Sequence, residues 1–159
     1  METKYYTPTI SEFYVGFEYE IEDLHDNLKD RAWRHVIADW CELDQAYDDW
    51  EHDYNNFKYN YRVKYLDKED IESFGFKPYQ SYRALRYGEC TEYVLNREYD
   101  SYSLTHFNDY NFNQVLIKSQ PPKFGMLGVN ILFDGEIKNK SELIKVLKQI
   151  GFYGTEDNK

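Results

Sequence analysis

The segment from Val129 to Phe152, VNILFDGEIKNKSELIKVLKQIGF, constrains the fold of this chain more than any other. Val129 to Phe133 is an apolar, β-favouring run, and Asp134-Gly135 offers the backbone freedom of a tight turn. Asn139 stands where a helix N-cap belongs, and Glu142 three residues on completes a capping-box pattern. Leu143, Ile144, Val146, Leu147 and Ile150 fall on one helical stripe, with Lys145 and Lys148 directed away from it. Lys148 lies in the last turn, where the helix dipole favours a cation, and Gly151 suits the position just past the end. The pattern predicts a strand, a turn and an amphipathic C-terminal helix that must dock on a sheet to bury its stripe.

The sheet has to come from the preceding residues. Glu12 to Ile21 alternates, with Phe13, Val15, Phe17, Tyr19 and Ile21 on one face and Glu12, Glu18 and Glu20 on the other. Gly16 fits a bulge in such a strand. Trp33 to Trp40 fits either helical spacing or a short strand, and Cys41 to Asp53 reads as an acidic helix. Tyr59 to Tyr65 alternates again, and Asp67 caps a brief helix that Gly75 ends, with Asp70 placed to reach back. Gln80–Tyr87, Thr91–Tyr99, Tyr102–Phe107 and Asn113–Ser119 read as consecutive strands, broken by turn residues at Tyr87-Gly88, Asp100-Ser101 and Asn108-Asp109. The expected class is α+β: a mostly antiparallel sheet with two or three helices packed on one face.

A length of 159 residues fits one domain over 1–159, with residues 1–9 a flexible lead-in and 154–159 a frayed tail. With 17 Tyr and 10 Phe the chain is too aromatic to be disordered. The net charge of −10 is concentrated: residues 1–57 hold 4 Lys and Arg against 15 Asp and Glu, a balance of −11. Residues 58–97 hold 8 against 6, a balance of +2. Long-range repulsion disfavours bulk nucleic-acid binding and leaves room for a local basic pocket. Cys41 and Cys90 match no metal or redox spacing, and no apolar run is long enough for a membrane span, so free thiols in a reducing cytoplasm are expected.

Three stretches, YYTPTISEFYVGFEYE, RVKYLDKEDIESFGF and NILFDGEIKNKSELIKVLKQIGF, resemble small hypothetical proteins of bacteriophages and integrated elements of Bacteroidota. Together they cover about a third of the chain and carry fold-forming segments, with no catalytic signature. The resemblance implies a small phage accessory protein in a bacterial cytoplasm, a class often directed against host defences. It implies no functional residue.

Two constellations can carry a binding function. The first is acidic and aromatic: Asp39, Trp40, Glu42, Asp44, Tyr47, Asp48, Asp49, Trp50, Glu51 and Asp53, with Tyr54 beside them. Its carboxylates can stand in for phosphates towards a basic or nucleic-acid-binding host protein, and its aromatics suit the anchors of binding hot spots. The same letters fit a solvated helix face with aromatics packed inward. The second is cationic: Arg62, Lys64, Tyr82, Arg83 and Arg86, suited to a nucleotide or cyclic oligonucleotide. Arg62 and Lys64 fit equally well as edge-strand charges, and no glycine-rich phosphate cradle accompanies them. The tyrosine-rich run Tyr99 to Phe112 fits either a binding loop or hairpin strands.

Catalytic and metal signals are weak. Asp48 or Asp49 with His52 has helical spacing, but His25, His35 and His106 supply no partner motif, and no nucleophile elbow is present. No cofactor and no metal are expected. The reading is a non-enzymatic phage-type accessory protein that inhibits a host defence factor by stoichiometric contact through its acidic aromatic surface. The alternative is a sequestering protein for a nucleotide signal.

Overall fold

The structure, a computed structural model, describes residues 4–23, 32–84, 88–97, 101–107, 113–120 and 129–152. Its fold is α+β, as the sequence predicts, but the strands form two antiparallel sheets where one was expected, and the described residues hold four α-helices where two or three were expected. Chain length alone predicts one domain; contacts along the chain group it into two units, Met1–Tyr65 and Leu66–Lys159. Each unit has its own sheet and its own apolar cluster.

The first unit contains β1 (Tyr5–Tyr6), a 3-10 turn (Ile10–Glu12), β2 (Glu18–Asp23), β3 (Ala32–Ile37), α1 (Trp40–His52), α2 (Tyr54–Asn60) and β4 (Tyr61–Lys64). Its sheet order is β1-β4-β2-β3. The lead-in is therefore partly ordered, because Tyr5 and Tyr6 pair with Lys64 and Val63. The long alternating strand expected from Glu12 is cut short. Glu12 folds back to accept a hydrogen bond from the Thr9 N–H at 2.7 Å, and Gly16 turns the chain at φ +92°. The Gly16 N–H then donates to Ala38 O at 2.7 Å, so β2 begins only at Glu18. Phe13 and Phe17 reach the core from this turn, while Val15 is exposed. Gly16 is thus a turn residue and not a bulge.

Two other boundaries differ for local reasons. The ambiguous stretch after Ala32 resolves as strand, and α1 starts at Trp40, because Asp39 and Glu42 form a reciprocal cap. Asp39 Oδ1 accepts from the N–H groups of Cys41 (2.8 Å) and Glu42 (3.0 Å), and the Glu42 carboxylate accepts from the Asp39 N–H at 3.0 Å. Tyr59 belongs to α2 and is exposed, so the face it was expected to share with Tyr61 does not extend that far. The core is aromatic: Phe57 stacks on Tyr61 at 4.6 Å, and Phe13 lies 5.1 Å from Phe17 and 5.2 Å from Tyr19.

The second unit contains α3 (Lys68–Ser73), β5 (Lys77–Ala84), β6 (Gly88–Asn96), β7 (Ser101–Phe107), β8 (Gln114–Gln120), β9 (Asn130–Glu136) and α4 (Lys140–Gln149). Its sheet is a meander, β5-β6-β7-β8-β9. The Asp67 cap, the Gly75 stop at φ +86° and the run of consecutive strands match expectation. However, β5 and β6 each begin three residues earlier than expected, at Lys77 and Gly88, so Gly88 opens β6; Tyr87 and Asp100 of the expected turns lie outside the described residues. Asp134-Gly135 does not turn. The pair continues β9, opposite Leu116 and Val115, and the Gln114 amide donates to Asp134 Oδ1 at 2.8 Å. The Asn139 cap forms, accepting from the Glu142 N–H at 2.9 Å, but Glu142 reaches the Lys138 N–H in place of that of Asn139. Leu143 and Leu147 are buried, with Val146 and Ile150 packed beside them, so the stripe faces the core; Ile144, expected on the same stripe, is half-buried and outside that cluster. The turns expected at Asn108-Asp109 and Pro121-Pro122, the Asp23–Asp30 loop beyond Asp23 and the tail 154–159 lie outside the described residues.

Candidate functional site

The acidic constellation is carried by α1 and the start of α2. On a helix, residues three and four apart share a face, so Trp40, Asp44, Tyr47 and Glu51 form one continuous stripe. The neighbouring side of α1 packs down through Leu43 and Ala46, which are buried. This leaves the aromatics outside: Trp40 is 73% exposed, Tyr47 48%, Trp50 41% and Tyr54 60%. The inward-packed alternative is therefore not what forms. Asp44, Asp48, Glu51 and Asp53 are exposed among these rings.

Three predicted partner-binding residues also have structural work. Asp39 and Glu42 close the helix cap described above, and the Glu42 hydrogen bonds, with that from Cys41, hold the Asp39 carboxyl below the usual carboxylate range. Asp49 accepts the Tyr61 hydroxyl at 2.6 Å and so ties α1 to β4. Burial, reinforced by that bond, pushes the Tyr61 phenol up. Burial and then the charge of Glu42 push Tyr19 to about 12. Asp48 lies 3.3 Å from His52 at i,i+4 spacing, both well exposed.

Charge placement in α1 runs partly against helix physics. Carboxylates favour the N-terminal end of the helix dipole, where Asp39 and Glu42 sit. Asp48, Asp49, Glu51 and Asp53 crowd the opposite end, where His52 is the basic residue of the last turn. Of these, Asp49 is repaid by the Tyr61 bond and Asp48 by its nearness to His52.

The cationic constellation divides between the units. Arg62 and Lys64 are on β4; Tyr82 and Arg83 are on β5; Arg86 lies outside the described residues. Arg62 is already engaged. Its guanidinium lies 3.8 Å from the ring centroids of both Tyr5 and Trp33, and it binds Glu20 Oε2 through Nη2 (2.6 Å) and Nε (2.7 Å). The Tyr5 hydroxyl donates to the other Glu20 oxygen at 3.3 Å. Sequence reasoning missed this arrangement, because Tyr5, Glu20, Trp33 and Arg62 meet only through the strand order β1-β4-β2-β3.

Of the tyrosine-rich run, Ser101–Phe107 forms β7, buried from Ser103 to Phe107; residues 98–100 and 108–112 are outside the described set. Among the described residues, no group of three or more His, Cys, Asp and Glu is arranged to hold a metal ion. Cys41 is an exposed free thiol and Cys90 a buried one. A shallow depression of about 380 Å³ in the second unit is lined by Phe133, Glu136, Lys145 and Val146 among others, none of them predicted site residues. Among the described residues no helix is long and apolar enough to cross a membrane. The chain matches no protein-family model, no curated protein and no solved structure.

Proposed function

We propose that this protein is a non-enzymatic binding protein that captures a basic partner by stoichiometric contact through the outer face of α1 and the start of α2. One observation carries the reading: four aromatic rings, Trp40, Tyr47 and Trp50 on α1 and Tyr54 at the start of α2, stand exposed among carboxylates, while Leu43 and Ala46 of α1 are already buried. Large rigid rings anchor interfaces with little loss of side-chain entropy, and surrounding charges steer the encounter and reject wrong partners. The acidic end of α1, set against its own dipole, supports the same reading. Such a surface imitates the charge of a nucleic-acid backbone, so the fitting partner is a host protein that itself grips nucleic acid. On the resemblance to small phage proteins, the setting we propose is a bacterial cytoplasm and the target a defence factor.

The test is capture from host lysate with three baits: the wild-type chain, Trp40→Ala/Tyr47→Ala, and Asp44→Lys/Asp48→Lys/Glu51→Lys. Asp49 is left intact because it supports the fold. A basic protein retained by the wild type and lost from both variants, with retention falling as salt rises, is the expected result. Equal retention by all three baits overturns the reading. Nucleotide capture that depends on Arg83 would replace it with the sequestration alternative.

A further inference from the structure

The strand β5 stands at one edge of the second sheet, and its outer edge pairs with no described strand. Edge strands in soluble proteins are usually short, covered or interrupted, because a long open edge recruits another strand. β5 has eight residues, and Lys77 through Arg83 are all exposed, so neither face is covered along that length. Two of these residues are large aromatics, Tyr79 at 70% exposure and Tyr82 at 44%. The inner side of the strand is firmly held. The Gln80 amide donates to Glu92 at 2.7 Å, and the Ser81 and Thr91 hydroxyls meet at 3.2 Å.

The proline and the bulge that interrupt the edge are confined to one end. Pro78 lacks an N–H, and the register slips between Pro78 and Gln80, where Tyr79 bulges. From Gln80 to Ala84 the ladder is regular, opposite Glu92 to Gly88. β5 itself contains two basic residues, Lys77 before the bulge and Arg83 in the regular segment, and no acidic residue, in a chain of net charge −10; the acidic residues beside it, Glu89 and Glu92, are on the inner neighbour β6. Arg83 stands across from Glu89 in register, yet neither Arg83 nor Lys77 forms an ion pair with any described residue.

We infer that the Gln80–Ala84 edge of β5 is a docking site for an acidic extended peptide, which adds as a further strand to the second sheet. Main-chain hydrogen bonds supply affinity, Arg83 and Lys77 select acidic side chains, and Tyr79 and Tyr82 flank the added strand. A second copy fits less well, because antiparallel pairing of β5 centred on Gln80 sets Lys77 against Arg83. The inference is independent of the α1 surface.

The probe is a synthetic peptide alternating Val and Glu, compared with its Val and Lys counterpart, on the full chain. Fluorescence anisotropy measures affinity, and hydrogen exchange locates the protected amides. The Val/Glu peptide is expected to bind saturably, to slow exchange within Lys77–Ala84, and to lose about tenfold or more in affinity on Lys77→Glu/Arg83→Glu. Arg83→Glu faces Glu89 across the ladder and is expected to lower the melting temperature slightly, so Lys77→Gln/Arg83→Gln, which sets no like charges together, is the second variant: it is expected to keep the wild-type melting curve and still to weaken binding. The Lys peptide should bind about tenfold more weakly. The inference is overturned by absent saturation at millimolar peptide, by protection elsewhere only, or by affinity that ignores the charge reversal. It is overturned equally by a single-stranded oligonucleotide that competes on even terms, or by sedimentation as a dimer that the reversal dissociates.

Discussion

Replacing Tyr61 with Phe removes one oxygen from the centre of the first unit and isolates the link between α1 and its sheet. The Tyr61 ring is 2% exposed, stacks on Phe57 at 4.6 Å and lies 5.6 Å from Tyr19, and all of that packing survives the change. What is lost is the 2.6 Å bond from the hydroxyl to Asp49 Oδ2. Hydrogen bonds to charged groups contribute roughly 1.5–3 kcal/mol net. Asp49 is only half-buried and can rehydrate, so Tyr61→Phe should cost about 1.5 kcal/mol. Asp49→Ala loses the same bond and also strands a buried hydroxyl, for a total of about 2.5 kcal/mol. In the double variant the stranded donor is gone and the loss returns to about 1.5 kcal/mol, so the two effects must couple, by about 2.5 kcal/mol. Trp33, Trp40 and Trp50, all three tryptophans of the chain, belong to the first unit, so tryptophan fluorescence during urea unfolding reports on it. Coupling below about 0.5 kcal/mol would refute the tie between α1 and β4. Asp48→Ala, next door but pointing outward, is the matched control and should leave the urea midpoint unchanged.

Two further outcomes follow from the second unit. Burial pulls the His106 imidazole down to about 4, opposed in part by Asp67, so the unfolded chain, titrating near its ordinary 6.5, takes up the proton first. The stability held above that range is lost as the pH falls, by about 2 kcal/mol between about pH 7 and about pH 5; His106→Gln should flatten the pH dependence of the urea midpoint, and an unchanged slope refutes the assignment. Leu143→Ala empties a fully buried site under α4 and should cost about 3 kcal/mol in a circular-dichroism melt, whereas Lys145→Ala should stay within about 0.5 kcal/mol; comparable losses for both would sink the packing scheme.

The α+β class, the helix from Asn139 to Gly151, the cap at Asp67 and the strands of the meander were legible in the order of the residues, because each rests on interactions within a few positions of one another. The acidic stripe was legible as a pattern, but not its direction. Leu43 and Ala46 take the buried face of α1, and only their packing against the sheet sends Trp40 and Tyr47 outward. The errors arose where a distant partner outweighed a local preference. Gly16 turns because Ala38 receives its N–H, and Asp134-Gly135 stays extended because Leu116 and Val115 pair with it. The Tyr5–Arg62–Trp33 stack and the open edge of β5 belong to strand order. Short-range chemistry is written residue by residue, whereas which strands become neighbours depends on burying the apolar faces of the whole unit at once, and only the folded chain makes that choice.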